Sequence, residues 1–451
     1  MKYHSTNKNC KSRTFKHALL KGLANDKGLF MPDHVPRLSS EEIDSFRHMK
    51  YHEIAFNVLY KFLKRDIPKD VLKLIIDEAY NFPVPIEEVY HNVYILRLDQ
   101  GPTLSFKDFA ARLMARLMNY YLKEENKKII ILVATSGDTG SAIADAYFDQ
   151  DNTEVIILFP KNEVSSIQRK QMTTYGRNIY TIALEGKFDD CQNFVKKAFS
   201  DVELNYLNLS SANSINIGRL LPQIVYYFYA FSRIDSKEIV FSVPSGNFGN
   251  LMGGIIARTM GLPVKKFIVA VNENDEFVRF FQSTKYKPII PSINCISNAM
   301  NVGNPSNFTR LIELYGGHMS EKGKMIVLPD IKKIHNDFFP VSVTDQNTIL
   351  TIQKVYKKYN TIVEPHGAVA WKGVEKYLEK YPDERVPIVS LETAHPSKFP
   401  SQLEKLYIKL KKPYTLVKLE QKEEVNFSKM KNNYTKFKNY LKKLKNNDKK
   451  I

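Results

Sequence analysis

The segment KIIILVATSGDTGSAIADAYF, residues 128–148, gives the clearest indication of the fold class. It begins with an apolar run of strand length that has no polar face, which predicts a strand buried on both sides. A turn with two glycines follows, and apolar residues then continue at helical spacing. A buried strand that leads through a short turn into a helix is the repeating unit of an α/β fold with a parallel sheet.

The same alternation of strand and helix recurs between residues 95 and 400. Further apolar runs of strand length are EVIILF (154–159), IVFSVP (239–244), KKFIVAV (265–271) and VPIVSL (386–391). This order predicts a doubly wound α/β core in which helices cover both faces of parallel strands. In such a fold, ligands bind at the carboxyl ends of the strands. The unusual loops of this sequence lie at those ends.

The two ends of the chain have different patterns. Residues 1–95 are predicted to form an N-terminal helical cap, residues 96–400 the core, and residues 401–451 a basic C-terminal extension. The cap segments with helical spacing are FKHALLKGLA (15–24), EEIDSFRHMKYHEIAFNVLYKFLK (41–64) and PKDVLKLIIDEAYNF (68–82). In the extension, an apolar stripe predicts one amphipathic helix that docks on the parent domain. The residues of this stripe are Phe427, Met430, Tyr434, Phe437, Leu441 and Leu444.

The composition indicates a globular protein. The chain has 451 residues, of which 43% are hydrophobic and 25% charged, enough for two or three domains with a substantial core. Cys10, Cys191 and Cys295 are too few and too far apart to indicate a disulfide framework or a zinc cluster, and no metal site is predicted. No apolar run reaches the roughly 20 residues that span a bilayer, and the N-terminus lacks the apolar core of a secretory signal. A cytoplasmic location without a membrane partner is expected.

The net charge of +18 makes nucleic acid a partner to consider. However, residues 421–451 alone contain ten lysines and three acidic residues, and this segment is also rich in asparagine. No zinc finger, RNA-binding RNP pattern or arginine-rich arm is present. Nucleic-acid binding is therefore not expected as the main role.

The segment TLSFKDFAARLM, residues 103–114, sets a lysine at the start of an apolar helix. Ser105 and Asp108 fit a capping box, which places Lys107 in the first turn. The helix dipole disfavours an ammonium there by about 0.3–1 kcal/mol, and burial adds to this effect. Such a lysine is shifted toward its neutral, nucleophilic form. The alternative is that Lys107 reaches solvent or pairs with Asp108.

Two loops at the ends of predicted strands are suited to bind anions. In VPSGNFGNLMGG (243–254), Gly246 and Gly249 allow backbone N–H groups to converge at a helix N-terminus. In ATSGDTGSAIA (134–144), hydroxyl groups and free N–H groups suit a carboxylate. Each loop alone is also consistent with an ordinary turn or helix cap. Together with a neutral lysine, they indicate a phosphorylated cofactor bonded to the lysine and a substrate with a carboxylate.

Five separated motifs resemble those of threonine synthases, which are pyridoxal-phosphate enzymes of the tryptophan synthase β fold type. The motifs, in the order and spacing of that family, are GPTLSFKD (101–108), TSGDTG (135–140), PSGNFGN (244–250), SNAMNVGNPSNF (297–308) and TAHPSKF (393–399). The resemblance extends from residue 5 to about residue 400. It implies the two-lobed core of fold type II and pyridoxal 5′-phosphate as the cofactor.

The resemblance also implies a role for each matched residue. Lys107 resembles the lysine that carries the cofactor. Thr393 resembles the hydroxyl that hydrogen-bonds the pyridine nitrogen, a neutral partner that favours elimination and replacement chemistry. The residues that resemble the loop around the cofactor phosphate are Gly246, Asn247, Phe248, Gly249 and Asn250. The residues that resemble the substrate-binding segments are Ser136, Gly137, Asp138 and Thr139 for the carboxylate, and Asn213, Ser214, Asn216 and Arg219 for the substrate phosphate.

The reaction that the resemblance implies converts O-phospho-L-homoserine and water into L-threonine and phosphate. It proceeds by γ-elimination of phosphate and β-addition of water, with Lys107 as the group that moves protons. The implied partner is therefore a small molecule. The chain is expected to be a monomer or a homodimer.

Several positions depart from the family pattern. Gln100 stands where many relatives have His, Asn301 replaces an Asp, Lys27 interrupts a DGGL pattern, and NSINIGR stands in place of NSINWAR. Gln100 and Asn301 each remove a titratable group near the predicted site. This leaves open a related phospholyase that ends at 2-oxobutyrate and ammonia, or a hydroxyamino-acid dehydratase. The alternative from another class is a non-catalytic paralogue that acts as a binding protein through its basic tail.

Overall fold

The structure is a computed structural model that describes residues 1–320, 323–410 and 412–447. Residues 411 and 448–451 of the predicted C-terminal extension lie outside this range. The strands are β1 (Lys2–Ser5), β2 (Arg13–Thr14), β3 (Phe30–Pro32), β4 (Ile86–Tyr90), β5 (Val93–Arg97), β6 (Ile129–Ala134), β7 (Thr153–Pro160), β8 (Ile179–Glu185), β9 (Leu209–Ser211), β10 (Ile239–Pro244), β11 (Val264–Val271), β12 (His318–Met319), β13 (Met325–Val327), β14 (Phe338–Ser342), β15 (Ile388–Glu392) and β16 (Phe427–Lys431).

Helices connect most of these strands. The α-helices are α1 (Phe15–Lys21), α2 (Ser40–Ser45), α3 (Tyr51–Leu63), α4 (Lys69–Ala79), α5 (Lys107–Glu125), α6 (Asp138–Tyr147), α7 (Ser166–Thr173), α8 (Phe188–Ser200), α9 (Ile217–Leu220), α10 (Val225–Ser232), α11 (Gly249–Thr259), α12 (Glu276–Ser283), α13 (Phe308–Leu314), α14 (Ile331–Asp337), α15 (Asp345–Tyr359), α16 (Pro365–Lys380), α17 (Pro400–Glu404), α18 (Tyr414–Glu420) and α19 (Tyr434–Asn447). Short 3₁₀ turns occupy Phe46–His48, Val202–Leu207, Leu221–Ile224, Asn298–Met300 and Pro396–Lys398.

Two large sheets form the two lobes of the core. The six-stranded lobe has the order β14-β11-β10-β15-β5-β4, and all its neighbours are parallel except β4 and β5. The five-stranded lobe has the order β16-β8-β7-β6-β9 and is entirely parallel. Along β6, Ile131 and Val133 belong to one buried cluster, while Leu132 and Ala134 belong to another. The prediction of a doubly wound α/β core with strands buried on both faces is therefore confirmed.

The N-terminal region contains strands as well as helices. Strands β2, β1 and β3 form a small antiparallel sheet, which the sequence analysis did not predict. Strands this short have too few alternating positions to produce a recognisable period. The segment 41–64 is also not one helix, because Met49 and Lys50 are extended between α2 and α3. Strand β5 joins the six-stranded sheet, and the boundary predicted at residue 95 falls within it.

The C-terminal extension combines a strand and a helix. Phe427 and Met430 lie in β16, which pairs in parallel with β8 at the edge of the five-stranded sheet. The prediction of one continuous helix from residue 427 is therefore wrong, because a spacing of three residues also occurs by chance in a strand. The docking prediction is confirmed for α19: Phe437 and Leu441 are fully buried, and the Phe437 ring lies 5.7 Å from that of Phe194.

Replacement of Phe437 by alanine tests this docking. We expect Phe437→Ala to lower the free energy of unfolding by about 3–5 kcal/mol, because the substitution leaves a cavity beneath α19. The change can be measured as a lower urea midpoint by circular dichroism. Tyr414→Ala is the matched control, since the Tyr414 side chain is 70% exposed. Equal midpoints for the two variants would show that α19 contributes nothing to the stability of the lobe.

Among the described residues, no helix combines the length and the apolar character that a bilayer crossing requires. The three cysteines are free, and Cys191 and Cys295 are buried. The structure also brings Glu273, Cys295 and Asp345 close together, with one potential ligand atom of each within 4.8 Å of the others. The Asp345 carboxylate already accepts the amide N–H of Ile296, and we assign no metal to this group.

Candidate active site

One cavity lies at the carboxyl ends of the parallel strands and is lined by both lobes. The loop after β6 contributes from the five-stranded lobe, and the loops after β10 and β15 contribute from the six-stranded lobe. The predicted site residues that line this cavity are Lys107, Ser136, Asp138, Thr139, Asn213, Ser214, Arg219, Gly246, Asn247, Phe248, Gly249, Asn250 and Thr393. Gly137 and Asn216 are the predicted residues that do not line it.

Lys107 is the first residue of α5, which agrees with its predicted place in the first turn, but the predicted capping box is wrong. Phe106 is the N-cap residue and has helical backbone angles, so Ser105 lies one residue too early to cap the helix. The Asp108 carboxylate instead accepts hydrogen bonds from the amide and the hydroxyl of Thr103. The Ser105 hydroxyl is buried and has no partner among the described residues. The geometry of the turn thus comes from Thr103 and Asp108.

The surroundings of Lys107 favour its neutral amine. Burial lowers the pKa of Lys107 to about 8, against the opposing effect of the Asp138 charge, while Arg219 and Lys398 lower it further. The Nζ atom lies 4.5 Å from the centre of the Phe106 ring. Within the described residues, Lys107 has no ion pair with Asp108. The alternative that Lys107 pairs with Asp108 is therefore wrong, and the partly buried Lys107 side chain lines the cavity.

The pH dependence of Lys107 reactivity can be measured directly. We expect pyridoxal phosphate to be captured by the apoprotein at a rate that rises with pH and is half-maximal near pH 8, because only the neutral amine attacks an aldehyde. Borohydride trapping and peptide mass spectrometry would follow the bond at Lys107. Lys123, exposed on the same helix, is the internal control and should react only at higher pH. A midpoint near 10.5 for Lys107 would contradict the structure.

The turn between β10 and α11 forms a cradle for an anion. Phe248 has a left-handed backbone with φ of +61°, and α11 begins at Gly249. The amide N–H groups of residues 246–250 have no acceptor among the described residues. A Cβ atom on Gly246 would lie 2.9 Å from the carbonyl oxygen of Ala299, so this wall of the cradle admits only glycine. These unpaired N–H groups at a helix N-terminus fit the phosphate of a bound cofactor.

Asn250 adds a side-chain donor to this cradle. Its Oδ1 atom accepts the hydroxyl groups of Tyr226 and Tyr227, at 2.6 and 2.8 Å. These two bonds fix the orientation of the amide, and its buried Nδ2 atom has no partner among the described residues. Thr393 lines the same cavity from the end of β15. The residues present therefore fit pyridoxal phosphate.

Some of the backbone N–H groups in the loop after β6 form hydrogen bonds within the loop itself. The Thr135 hydroxyl accepts the amide N–H groups of Gly137 and Gly140, both at 2.9 Å, so these two amides are not available to a ligand. The sequence analysis expected free N–H groups in this loop, and the amides of Gly137 and Gly140 are not among them. Ser136, Asp138 and Thr139 do line it. Gly137 has φ of +135° and serves as the turn that starts α6.

Asp138 is held by a buried ion pair. The Nζ atom of Lys398 lies 2.7 Å from Asp138 Oδ1, and both side chains are almost completely inaccessible to solvent. Gln168 donates a further hydrogen bond of 2.9 Å to the same oxygen. Burial tends to raise the pKa of Asp138, but the positive charges of Lys398 and Lys107 hold it below its usual range. Sequence reasoning did not single out Lys398, although it lies within the TAHPSKF motif.

The segment 213–219 contributes three of its four predicted residues to the cavity. Asn216 instead donates to the carbonyl oxygens of Leu19 and Ser211 and accepts the amide of Gly218. It thus supports the segment from behind. Arg219 donates to the carbonyl oxygen of Ala212 at 2.6 Å, and its Nε atom is buried without a partner among the described residues. Burial lowers the pKa of Arg219 to about 10.

Arg310 lies behind this segment and was not predicted. It is fully buried and donates to the carbonyl oxygens of Ser214 and Ile215, at 3.0 and 2.8 Å. It also donates to Asn307 Oδ1 at 2.6 Å, and Asn307 in turn donates to the carbonyl oxygen of Asn247. Arg310 therefore ties the segment that carries Arg219 to the cradle. No local pattern around Arg310 distinguishes it from a surface arginine.

His366 also lines the cavity and was missed. Its Nδ1 atom lies 2.5 Å from the Glu364 carboxylate, and its Nε2 atom accepts the amide N–H of Ala299. Ala299 belongs to the loop that packs against Gly246. A single histidine outside any predicted motif gave no signal for this contact.

The departures from the family pattern lie outside the cavity. Gln100 donates to Asp99 at 2.9 Å. Asn301 bonds to Asn294 and Cys295 within its own loop and accepts a hydrogen bond from Asn272, which follows β11. Lys27 adopts φ of +63°, a conformation that glycine adopts without steric strain. Neither Gln100 nor Asn301 therefore replaces a group that lines the cavity.

Comparisons with known proteins identify the family of the chain. Residues 2–80 match the family model "Threonine synthase N terminus", residues 82–391 match "Pyridoxal-phosphate dependent enzyme", and residues 367–441 match "Threonine synthase, C-terminal". The threonine synthase of Pseudomonas aeruginosa is 39% identical over 431 residues, and the alignment covers 90% of each chain. That of Escherichia coli is 38% identical over 408 residues, again with 90% of each chain covered.

Solved structures give the same result. A crystal structure of PLP-bound threonine synthase from Brucella melitensis superposes with a TM-score of 0.90, at 35% identity over 98% of each chain. Yeast threonine synthase superposes with a TM-score of 0.88, at 30% identity over 98% of each chain. The chain belongs to the threonine synthase family of pyridoxal-phosphate-dependent enzymes.

Proposed function

We propose that this protein converts O-phospho-L-homoserine and water into L-threonine and inorganic phosphate. The observation that carries this proposal is the convergence of three elements on one cavity: the Lys107 amine, the cradle at residues 246–250 and the polar segment at residues 213–219. This arrangement offers one place for a cofactor phosphate and a second for a substrate phosphate. The family relationship supports the same reaction.

Different polar residues of the cavity would bind different groups of the cofactor and the substrate. We propose that the amides of residues 246–250 and the Asn250 side chain hold the cofactor phosphate, and that Thr393 offers its hydroxyl to the ring nitrogen. Ser136 and Thr139 would hold the substrate carboxylate. Asn213, Ser214 and Arg219 would hold the substrate phosphate, because a guanidinium binds phosphate oxygens through directed N–H groups.

Lys107 would carry out proton transfer at the substrate carbons. When bound, pyridoxal phosphate acts as an electron sink that makes protons on neighbouring carbons acidic. A lysine with a pKa of about 8 is partly neutral near pH 7 and can both accept and return a proton. Its position at the start of a rigid helix keeps the amine on one side of the cavity.

The experiment is incubation of the purified protein with O-phospho-L-homoserine and identification of the products. Threonine and phosphate in equal amounts are expected. The alternative phospholyase would instead release 2-oxobutyrate, ammonia and phosphate. We favour threonine because Gln100 and Asn301, the departures that raised this alternative, lie outside the cavity. A non-catalytic binding protein would yield no phosphate at all.

We further propose that the protein acts in the cytoplasm on this small-molecule substrate, as a monomer or a homodimer. Size-exclusion chromatography with light scattering would distinguish the two oligomeric states.

A further inference from the structure

Lys398 is a fully buried lysine beside the candidate active site. Its Nζ atom donates to the carbonyl oxygen of Thr103 at 2.9 Å and lies 2.7 Å from Asp138 Oδ1. Lysine is almost never fully buried unless it is paired, because its charge loses hydration. Both contacts of Lys398 are with segments that flank Lys107: Thr103 precedes α5, and Asp138 lines the cavity with Lys107. Packing alone therefore does not account for a buried lysine at position 398.

Asp138 is the carboxylate whose negative charge would stabilise the ammonium form of Lys107 if it were left unpaired. Its charge favours the ammonium form of Lys107, while the charge of Lys398 favours the neutral amine. Arg219 also favours the neutral amine, and Glu364 opposes it. His366 is a further group that acts on Asp138. These groups have the largest electrostatic effects on Lys107 and Asp138.

We propose that Lys398 is a positioning residue whose ion pair with Asp138 neutralises that carboxylate and thereby prevents it from becoming the counter-ion of Lys107. This inference rests on the proposed role of Lys107 in proton transfer. Lys398 is not among the residues that line the cavity. It acts by occupying Asp138 Oδ1, together with Gln168, so that the Lys107 amine remains free to accept a proton.

The test compares substitutions that change charge in opposite directions. Lys398→Gln keeps an amide donor toward Asp138 and Thr103 but removes the positive charge. Asp138→Asn removes the negative charge. The readout is the pH midpoint for covalent capture of pyridoxal phosphate by Lys107 in the apoprotein, which requires no turnover.

The two single variants should shift the pH midpoint of cofactor capture in opposite directions. Lys398→Gln should raise the midpoint by about one pH unit or more, which is about a tenfold slower capture at neutral pH. Asp138→Asn should lower the midpoint. The double variant should have a midpoint at or below that of the wild type. Lys398→Arg should have the wild-type midpoint, because arginine retains the positive charge. A merely structural role for Lys398 would not produce shifts of opposite sign.

An unchanged midpoint in Lys398→Gln, or a shift in the same direction for both single variants, would overturn the proposal. If Lys398→Gln does not fold, Asp138→Asn and the double variant still decide the matter, because an unchanged or raised midpoint in Asp138→Asn has the same consequence. Failure of the proposed function gives a different result. In that case the wild-type protein would not capture the cofactor at Lys107, or would not form threonine.

Discussion

Lys107→Ala should reduce the rate of phosphate release from O-phospho-L-homoserine by about 10³-fold or more. General acid–base catalysis by one positioned group contributes about 10²–10⁴-fold, and this lysine would also carry the cofactor. The variant should bind pyridoxal phosphate without a covalent bond. Borohydride reduction followed by mass spectrometry should therefore find no cofactor attached at residue 107. The fold should persist, because the side chain lines a cavity and no core contact depends on its amine.

The matched control for this prediction is Lys123→Ala. Lys123 lies on the same helix α5 but is exposed to solvent, so its replacement tests the effect of removing a lysine from the helix. We expect wild-type activity and covalent attachment. Full activity in Lys107→Ala would remove the basis of the proposed function, and equal losses in both variants would point to a general effect on the helix.

Gly246→Ala should weaken cofactor binding by about 10- to 100-fold. The added methyl group would meet the Ala299 carbonyl oxygen at 2.9 Å and the Met300 Cα atom at 3.0 Å. Both are backbone atoms, so one wall of the cradle has to move, at a cost of about 1–3 kcal/mol. Fluorescence titration of the apoprotein with pyridoxal phosphate would measure the apparent Kd.

Gly316→Ala provides the comparison for this substitution. Gly316 lies beyond the end of α13, and a Cβ atom there meets no atom within 4 Å. Its φ of +79° makes alanine somewhat strained, so a small loss of stability is expected but no change in cofactor affinity. Unchanged affinity in Gly246→Ala would mean that the cofactor phosphate does not depend on this wall of the cradle.

The strands that the sequence predicted all lie inside the two large sheets, although the internal strands β5 and β8 were not among them. Strands β6, β10 and β15 are continuous apolar runs, because each is covered on both faces and has neighbours along both edges. Strands β14 and β16 were missed, and both lie at sheet edges. β14 contains Pro340, which is tolerated at an edge, and β16 alternates with lysine, so neither has the signature of a buried strand.

In the candidate site, too, the features that depend on nearby residues were predicted, and those that depend on the folded backbone were not. Lys107 was predicted because its unusual position is a local property: a lysine in the first turn of an apolar helix. The cradle was predicted because its glycines follow a strand and precede a helix. The capping box was wrong because Thr103, rather than Ser105, lies within reach of the Asp108 side chain, and only the backbone angles of the turn determine this.

Residue spacing over short distances was enough to predict the fold class, the helix that has Lys107 in its first turn and the loops that meet at the strand ends. The charges that surround the Lys107 amine became evident only from the packing of the folded chain. Lys398 and Arg310 come to the site from distant parts of the chain, and their positions depend on how the two lobes pack. Electrostatic interactions act through space over a few ångströms, so sequence neighbours do not reveal them.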